Sequence, residues 1–168
     1  MASKYPNWNF LGLEIREPLV SSSERKRKQL GLLNLKFLYC NVNISLDEWL
    51  SDLDINQLKR VSIQFPDPWF KRKHLKRRVL TKSLLNSIAR SISKDGQLFI
   101  QSDISKLIEY MTNIIDDIIY FDRKIFKGLK WLEKNPYEVT TDRESFVLKQ
   151  NLPIYRAMYI RNSALFIN

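Results

Sequence analysis

Short apolar runs, each closed by a polar or chain-breaking residue and separated from the next by segments of helical character, constrain this chain more than any other feature. "NFLGLEI" (9–15) lacks helical spacing and reads as a buried strand ending at Glu14. Residues 19–30 read as a basic helix stopped by Gly31. "LKFLY" (35–39) is a second strand, ending at Cys40-Asn41, and Ser45 with Glu48 makes the capping-box pattern of a helix near 46–52. "VSIQF" (61–65) is a third strand, stopped by Pro66 and Pro68. Leu84, Leu85, Ile88, Ala89 and Ile92 share one helical face, after which Asp95-Gly96 turns into a fourth strand, "QLFIQ" (97–101). Asp103 then opens a helix with Leu107, Met111, Ile114, Ile115 and Ile118 on its buried side, and a late strand, "PIYRAMYI" (153–160), closes the domain. Alternation of this kind predicts an α/β fold with a mainly parallel sheet and helices on both faces.

Glu14, Asn41, Asp67 and Asp103 each fall at or just past the carboxyl end of a predicted strand. In open α/β sheets that edge is where ligands bind. Any one of them reads equally well as a turn or helix cap. Four along one edge favour a ligand site.

Charge says what kind of ligand. The 168 residues carry 28 Lys and Arg against 18 Asp and Glu, a net +10. Segment 71–78 holds six cations and "RKRK" at 25–28 holds four, with no acid inside either; without those ten, 18 cations face 18 acids. Such clustering suits a polyanion-binding surface better than a general solubility bias. The length suits one domain over 1–168 that needs no disulfide or structural metal. The single cysteine, Cys40, fits a reducing compartment. No apolar stretch reaches the ~18 residues of a membrane span, and "MASKYPNWNF" lacks a signal-peptide core. These features predict a soluble, cytoplasmic chain with no membrane partner and no metal.

The densest stretch is "FPDPWFKRKHLKRR" (65–78), in which Asp67 stands between two prolines ahead of Lys71, Arg72, Lys73, Lys76, Arg77 and Arg78. "FPDPW", a Lys two residues on, then His and "KRR", resembles the signature of the tRNA (guanine-N7-)-methyltransferases of the TrmB type. The likeness continues in order along nearly the whole chain. "NFLGLEIR" and "LKFLYCNVN" resemble that family's second and third strands, "GQLFIQSD" the strand ending in its substrate-side aspartate, and "TDRE" (141–144) with "PIYRAMY" its late Thr-x-x-Glu element and closing strand. "IQFPDPWFK", with Phe70, looks most like the cyanobacterial and plastid branch.

The resemblance implies a class I (Rossmann-like) methyltransferase fold, S-adenosylmethionine as methyl donor, and tRNA as substrate, methylated at N7 of guanine 46 in the variable loop by a monomer or homodimer. Glu14 would bind the cofactor's ribose hydroxyls and Asn41 its adenine. Asp67 would be the catalytic residue, at the junction of cofactor and base. Lys71, Asp103 and Thr141, Asp142, Arg143 and Glu144 would contact the tRNA substrate. Lys73, His74, Leu75, Lys76, Arg77 and Arg78 would form the RNA-binding basic segment. The chemistry suits these residue types. Guanine N7 has an in-plane lone pair and no proton, so transfer needs alignment rather than a strong base. Positive charge then grows on the purine, where a fixed carboxylate stabilises it.

Other readings stand beside these. Trp69 could stack a base or pack the loop. His74, the only histidine, reads as a structural or RNA-contact residue rather than a general base. The 25–28 cluster reads as a solvated helix face before a second RNA site, and Thr141 with Glu144 would pass as an ordinary cap. A non-enzymatic RNA-binding fragment, or an RNA methyltransferase of different specificity, would share the fold. The family places a strand, a Gly-rich loop and a helix ahead of the ribose-binding acid, roughly 20 residues upstream in related folds. Glu14 has 13 residues before it, and the four glycines (12, 31, 96, 128) are dispersed. We therefore expect an N-terminally incomplete domain, starting at an internal methionine, that alone is poorly stable and binds S-adenosylmethionine weakly or not at all.

Overall fold

A computed structural model describes residues 1–54, 56–125 and 127–166. The chain divides into two compact units, Met1–Leu46 and Asp47–Asn168.

In the first unit, residues 1–8 form hydrogen-bonded turns, with the Asn34 side-chain amide donating to the carbonyls of Ala2, Tyr5 and Trp8. Strands β1 (Phe10–Glu14) and β2 (Leu35–Tyr39) pair in parallel, Phe10 opposite Leu35 and Glu14 opposite Tyr39. They are joined by α1 (Glu17–Gln29), which opens with a proline in its first turn and gives way to Gly31 at φ 62°. The apolar run at 9–15 predicts a buried strand, yet Leu11 is 52% exposed. Helix α1, whose sequence is mostly charged or polar, buries no residue of its own. Gly12 faces the Phe37 ring so closely that a Cβ there would collide with it.

Helix α2 (Val42–Ser51) begins earlier than the capping box at Ser45 suggests. Asn41 takes the cap: its Oδ1 accepts from the Asn43 N–H at 3.1 Å, and its backbone carbonyl accepts from Ile44 and Ser45. Asn caps as well as Ser does, and here it comes first in the chain.

The second unit holds β3 (Leu58–Gln64), a 3₁₀ turn (Arg72–Arg77), α3 (Lys82–Ser91), β4 (Ile92–Ser102), α4 (Ser105–Asp116), β5 (Phe121–Arg123), α5 (Asp142–Lys149) and β6 (Tyr155–Arg161). The sheet order is β3-β4-β6-β5. The parallel pairing that alternation predicts holds for β3–β4, as it does for β1–β2, while β4–β6 and β5–β6 are antiparallel. Strand β4 is the centre: Leu98, Phe99, Ile100 and Gln101 all have zero exposure, as a strand covered on both faces must. The Asp95-Gly96 turn lies inside β4 as a kink, with Asp95 at φ 64° and the register jumping between the Leu58–Ile92 and Arg60–Gln97 pairs.

Helix α3 is capped by Thr81, whose Oγ1 accepts from the Leu84 N–H at 3.1 Å, and buries Leu84, Leu85, Ile88 and Ala89. Helix α4 packs on α3 and on β4, β5 and β6, burying Leu107, Ile108, Met111 and Ile115. Ile114 and Ile118, expected on that face, are half-buried. Ile114 sits at the edge of the stripe and Ile118 beyond the helix end at Asp116. Among the described residues no helix is long and apolar enough to cross a membrane.

Candidate active site

At the carboxyl end of β3 the chain leaves the sheet abruptly. Phe65 adopts φ 49° while its N–H still donates to the Gln101 carbonyl at 2.8 Å. Pro66 and Pro68 bracket Asp67, and Trp69 again turns left-handed at φ 41°. Two prolines leave this segment few alternative conformations, so the exposed Asp67 carboxylate projects from a constrained loop.

A cleft of about 470 Å³ opens there, lined by Gln64, Phe65, Pro66, Asp67, Pro68, Asp103, Ile104, Thr141 and Arg143. Four residues singled out in the sequence, Asp67, Asp103, Thr141 and Arg143, thus share one cleft although they span 77 positions of the chain. Its floor is the carboxyl edge of β3 and β4; its far wall is the start of α5. Thr141 caps that helix, its Oγ1 accepting from the Glu144 N–H at 3.0 Å. Arg143 reaches across to Asp103 with a 2.5 Å ion pair, and Asp142 is exposed in the first turn of α5.

Glu144 lies beneath the cleft and not in it. It is 1% exposed. Its Oε1 accepts from Arg156 Nη2 at 2.8 Å, and its Oε2 from Asn135 at 2.8 Å and Gln101 at 3.2 Å. Gln101 in turn accepts from Arg156 Nε at 3.1 Å and donates to Gln64 at 2.6 Å. Burial pushes the Glu144 carboxyl up, but the Arg156, Asn135 and Gln101 hydrogen bonds outweigh it, and the group stays below the ordinary carboxylate range. A side chain so placed ties α5 to the end of β4. One signal of this network is present in the sequence. Arg156 interrupts an apolar strand, and a buried charge has to find a partner.

The basic segment folds as the 3₁₀ turn. Lys71, Arg72, Lys73, Lys76 and Arg77 are exposed, as is Leu75. His74 packs inward, 5.5 Å from Trp69 between ring centroids. The Arg77 guanidinium lies 5.1 Å from the centre of the same Trp69 ring. Trp69 therefore packs the loop. Arg78 is half-buried and set apart from its neighbours.

Glu14 and Asn41 belong to the first unit, at the carboxyl ends of the adjacent parallel strands β1 and β2. The Cys40 N–H donates to the Glu14 carbonyl at 3.0 Å, joining the two strand ends. The Glu14 carboxylate accepts from the Arg16 N–H at 2.9 Å and from its guanidinium at 3.1 and 3.2 Å. Partial burial pushes its pKa up, and those Arg16 hydrogen bonds bring it below the usual value. The 25–28 cluster sits on exposed α1, except that Arg27 turns in to Glu24 at 2.8 Å and to the Leu32 carbonyl at 3.0 Å. Among the described residues no group of three His, Cys, Asp or Glu is placed to hold a metal ion.

Comparison with known proteins gives this arrangement a family. Residues 1–157 match a family model described as "Putative methyltransferase". A tRNA (guanine-N(7)-)-methyltransferase of Prochlorococcus marinus strain NATL1A is 72% identical over 168 residues, covering 100% of this chain and 78% of the relative. Enzymes of the same name from P. marinus strain MIT 9313 and from a Nostoc species are 51% and 47% identical, over 96% and 97% of this chain and 69% and 74% of theirs. Among solved structures, an rRNA methylase from Streptococcus thermophilus superposes with a TM-score of 0.57 at 11% identity, over 92% of this chain and 74% of its own. A methyltransferase homologue from Pyrococcus horikoshii gives 0.60 at 12%, over 91% and 53%. At such identity the structures speak for the fold, a methyltransferase α/β fold. With relatives up to 72% identical matched over 96–100% of this sequence, the chain belongs to the tRNA (guanine-N7-)-methyltransferase family.

Proposed function

We propose that this chain transfers a methyl group from S-adenosylmethionine to N7 of a guanine in tRNA, using the cleft at Asp67. The observation that carries the reading is the meeting of Asp67, Asp103, Thr141 and Arg143 in one 470 Å³ cleft, in the 300–1,000 Å³ range of small-ligand pockets. It opens at the sheet edge where α/β folds bind ligands and is followed in the chain by a run of exposed cations. The name borne by the relatives supports the same substrate.

The donor set suits the cofactor. Glu14 offers a carboxylate to a ribose diol, although Arg16 already occupies three acceptor positions of it and has to yield. Asn41 spends its Oδ1 on its own helix and keeps its amide N–H groups for an acceptor such as an adenine nitrogen. When bound, S-adenosylmethionine supplies an electrophilic methyl on a sulfonium. The chain's part is positional and electrostatic. The cleft holds the purine in one orientation, the positional part of transfer, and Asp67, held between its prolines, would face the positive charge that grows on the ring. No proton leaves N7, so Asp67 serves as a fixed charge and not as a base. Lys71, Lys73, Lys76 and Arg77 remain exposed to meet phosphates.

Incubating the chain with labelled S-adenosylmethionine and unmodified tRNA, then cleaving the RNA at N7-methylguanine, tests the reading. Label and cleavage at one guanine are expected. Label on another base or atom would overturn the proposed specificity, and no transfer at all would overturn the activity.

A further inference from the structure

The basic run after Asp67 is not uniform in burial or contacts. Five of its six cations are exposed, and the sixth, Arg78, is half-buried. Its Nε donates to the Pro68 carbonyl at 3.2 Å, within the loop that carries Asp67. Its guanidinium lies 4.0 Å from the centre of the Tyr110 ring on α4. Tyr110 is itself fixed, its hydroxyl donating to the Leu80 carbonyl at 3.4 Å, and Leu80 is 1% exposed. Pro66, Asp67, Arg78 and Tyr110 line a single shallow crevice. A planar cation stacked on a ring and hydrogen-bonded to a carbonyl bridges the two; a lysine cannot reproduce that geometry.

We propose that Arg78 is a positioning residue, which clamps the Pro66–Pro68 loop against α4 and so sets where the Asp67 carboxylate stands, and that it does not bind phosphate like the cations before it. The inference rests on the reading of the Asp67 cleft as the methyl-transfer site. In energetic terms the two roles separate cleanly. A phosphate-binding cation contributes to the salt dependence of RNA binding, about 0.7–0.9 in the slope of log affinity against log salt. A loop clamp contributes nothing to that slope and acts on turnover, because small misplacements of a reacting group are costly.

Arg78→Lys in the full chain is the test, since it keeps the charge and loses the fork, with Arg78→Ala beside it and a thermal melt on each. Three readouts are taken: amide hydrogen exchange over 65–71, turnover at saturating tRNA, and the salt slope of tRNA binding. We expect Arg78→Lys to speed exchange of the loop amides about fivefold or more and to lower turnover about tenfold or more, with the salt slope unchanged. Arg78→Ala should do the same, still without flattening the slope, whereas Lys76→Ala flattens it by about 0.7–0.9. Wild-type exchange and turnover in Arg78→Lys, together with a slope flattened by about 0.7–0.9 in Arg78→Ala, would overturn the proposal. If Arg78→Ala does not fold, Arg78→Lys decides alone, and unchanged loop exchange ends the idea. Should the wild-type chain methylate no tRNA guanine, the functional reading fails, while the exchange comparison still decides whether Arg78 anchors the loop.

Discussion

Removing the Glu144 carboxylate tests whether the network under the cleft is what holds its wall. Glu144 and Arg156 are 1% and 5% exposed, and their 2.8 Å bond ties α5 to the sheet. In Glu144→Ala, Arg156 keeps its acceptors at Gln101 and the Glu133 carbonyl, and stripping one partner from a buried ion pair costs about 3–5 kcal/mol. Glu144→Gln keeps a carbonyl oxygen for Arg156 and loses only the charge, so about 1.5–3 kcal/mol is expected, the range of a hydrogen bond to a charged group. Against a total stability of about 5–15 kcal/mol, the alanine variant should melt at least about 6 °C lower, at about 2 °C per kcal/mol. The sign of the pH dependence follows from the depressed Glu144 pKa. The charged form's contribution is fully present above the unfolded value near 4.5 and is lost as pH falls through the lower folded value. Melts of wild type and Glu144→Gln between pH 7 and 3 should therefore differ most at neutral pH, with the gap narrowing as pH falls below the unfolded value near 4.5. Equal melting temperatures at pH 7, or a gap that persists unchanged to pH 3, would refute the argument.

Two further outcomes follow from the site. Lys76→Ala with Arg77→Ala should weaken tRNA binding and flatten its slope against salt by about 1.4–1.8, the share of two phosphates, as read by filter binding from 50 to 200 mM salt; an unchanged slope would place this turn off the RNA. Thr141→Val removes the oxygen that accepts the Glu144 N–H at the start of α5 and should cost about 1 kcal/mol in a denaturant melt, while Thr141→Ser should cost a few tenths.

The sheet was legible because strands end where polar or chain-breaking residues interrupt apolar runs. Strand β2 spans the expected residues Leu35–Tyr39, and Asp67 and Asp103 stand at strand ends as their neighbours' hydrophobicity implied. Three-residue β5 was not legible, since its pairing to β6 comes from tertiary contact and not from any pattern in "FDR". Nor was the direction of β6, because alternation of strand and helix says nothing about a strand that returns through the long 124–141 segment. The cap of α2 was misplaced because Asn41 and Ser45 compete for one role, and sequence alone does not rank two good caps four residues apart. At the cleft, residue types were readable but their division of labour was not. Glu144 reads as a ligand contact in the sequence, and its burial beneath the cleft against Arg156 is not legible there. Arg78 looked like one more phosphate cation and lies on Tyr110. Both distinctions depend on which way a side chain turns, and that is set by partners 12 and 32 residues away along the chain.

The claim at the centre is that a fixed negative charge at position 67 stabilises the positive charge that grows on guanine during transfer. Asp67→Asn keeps the size, the prolines and the hydrogen-bonding reach and removes only that charge. Single-turnover methylation at saturating tRNA and S-adenosylmethionine, with tRNA affinity measured alongside, reads it directly. The expected result is a fall of about 10²–10³ in the transfer rate, the cost of removing one preorganised electrostatic group, with tRNA affinity unchanged within about twofold. Transfer at the wild-type rate by Asp67→Asn would contradict the electrostatic account.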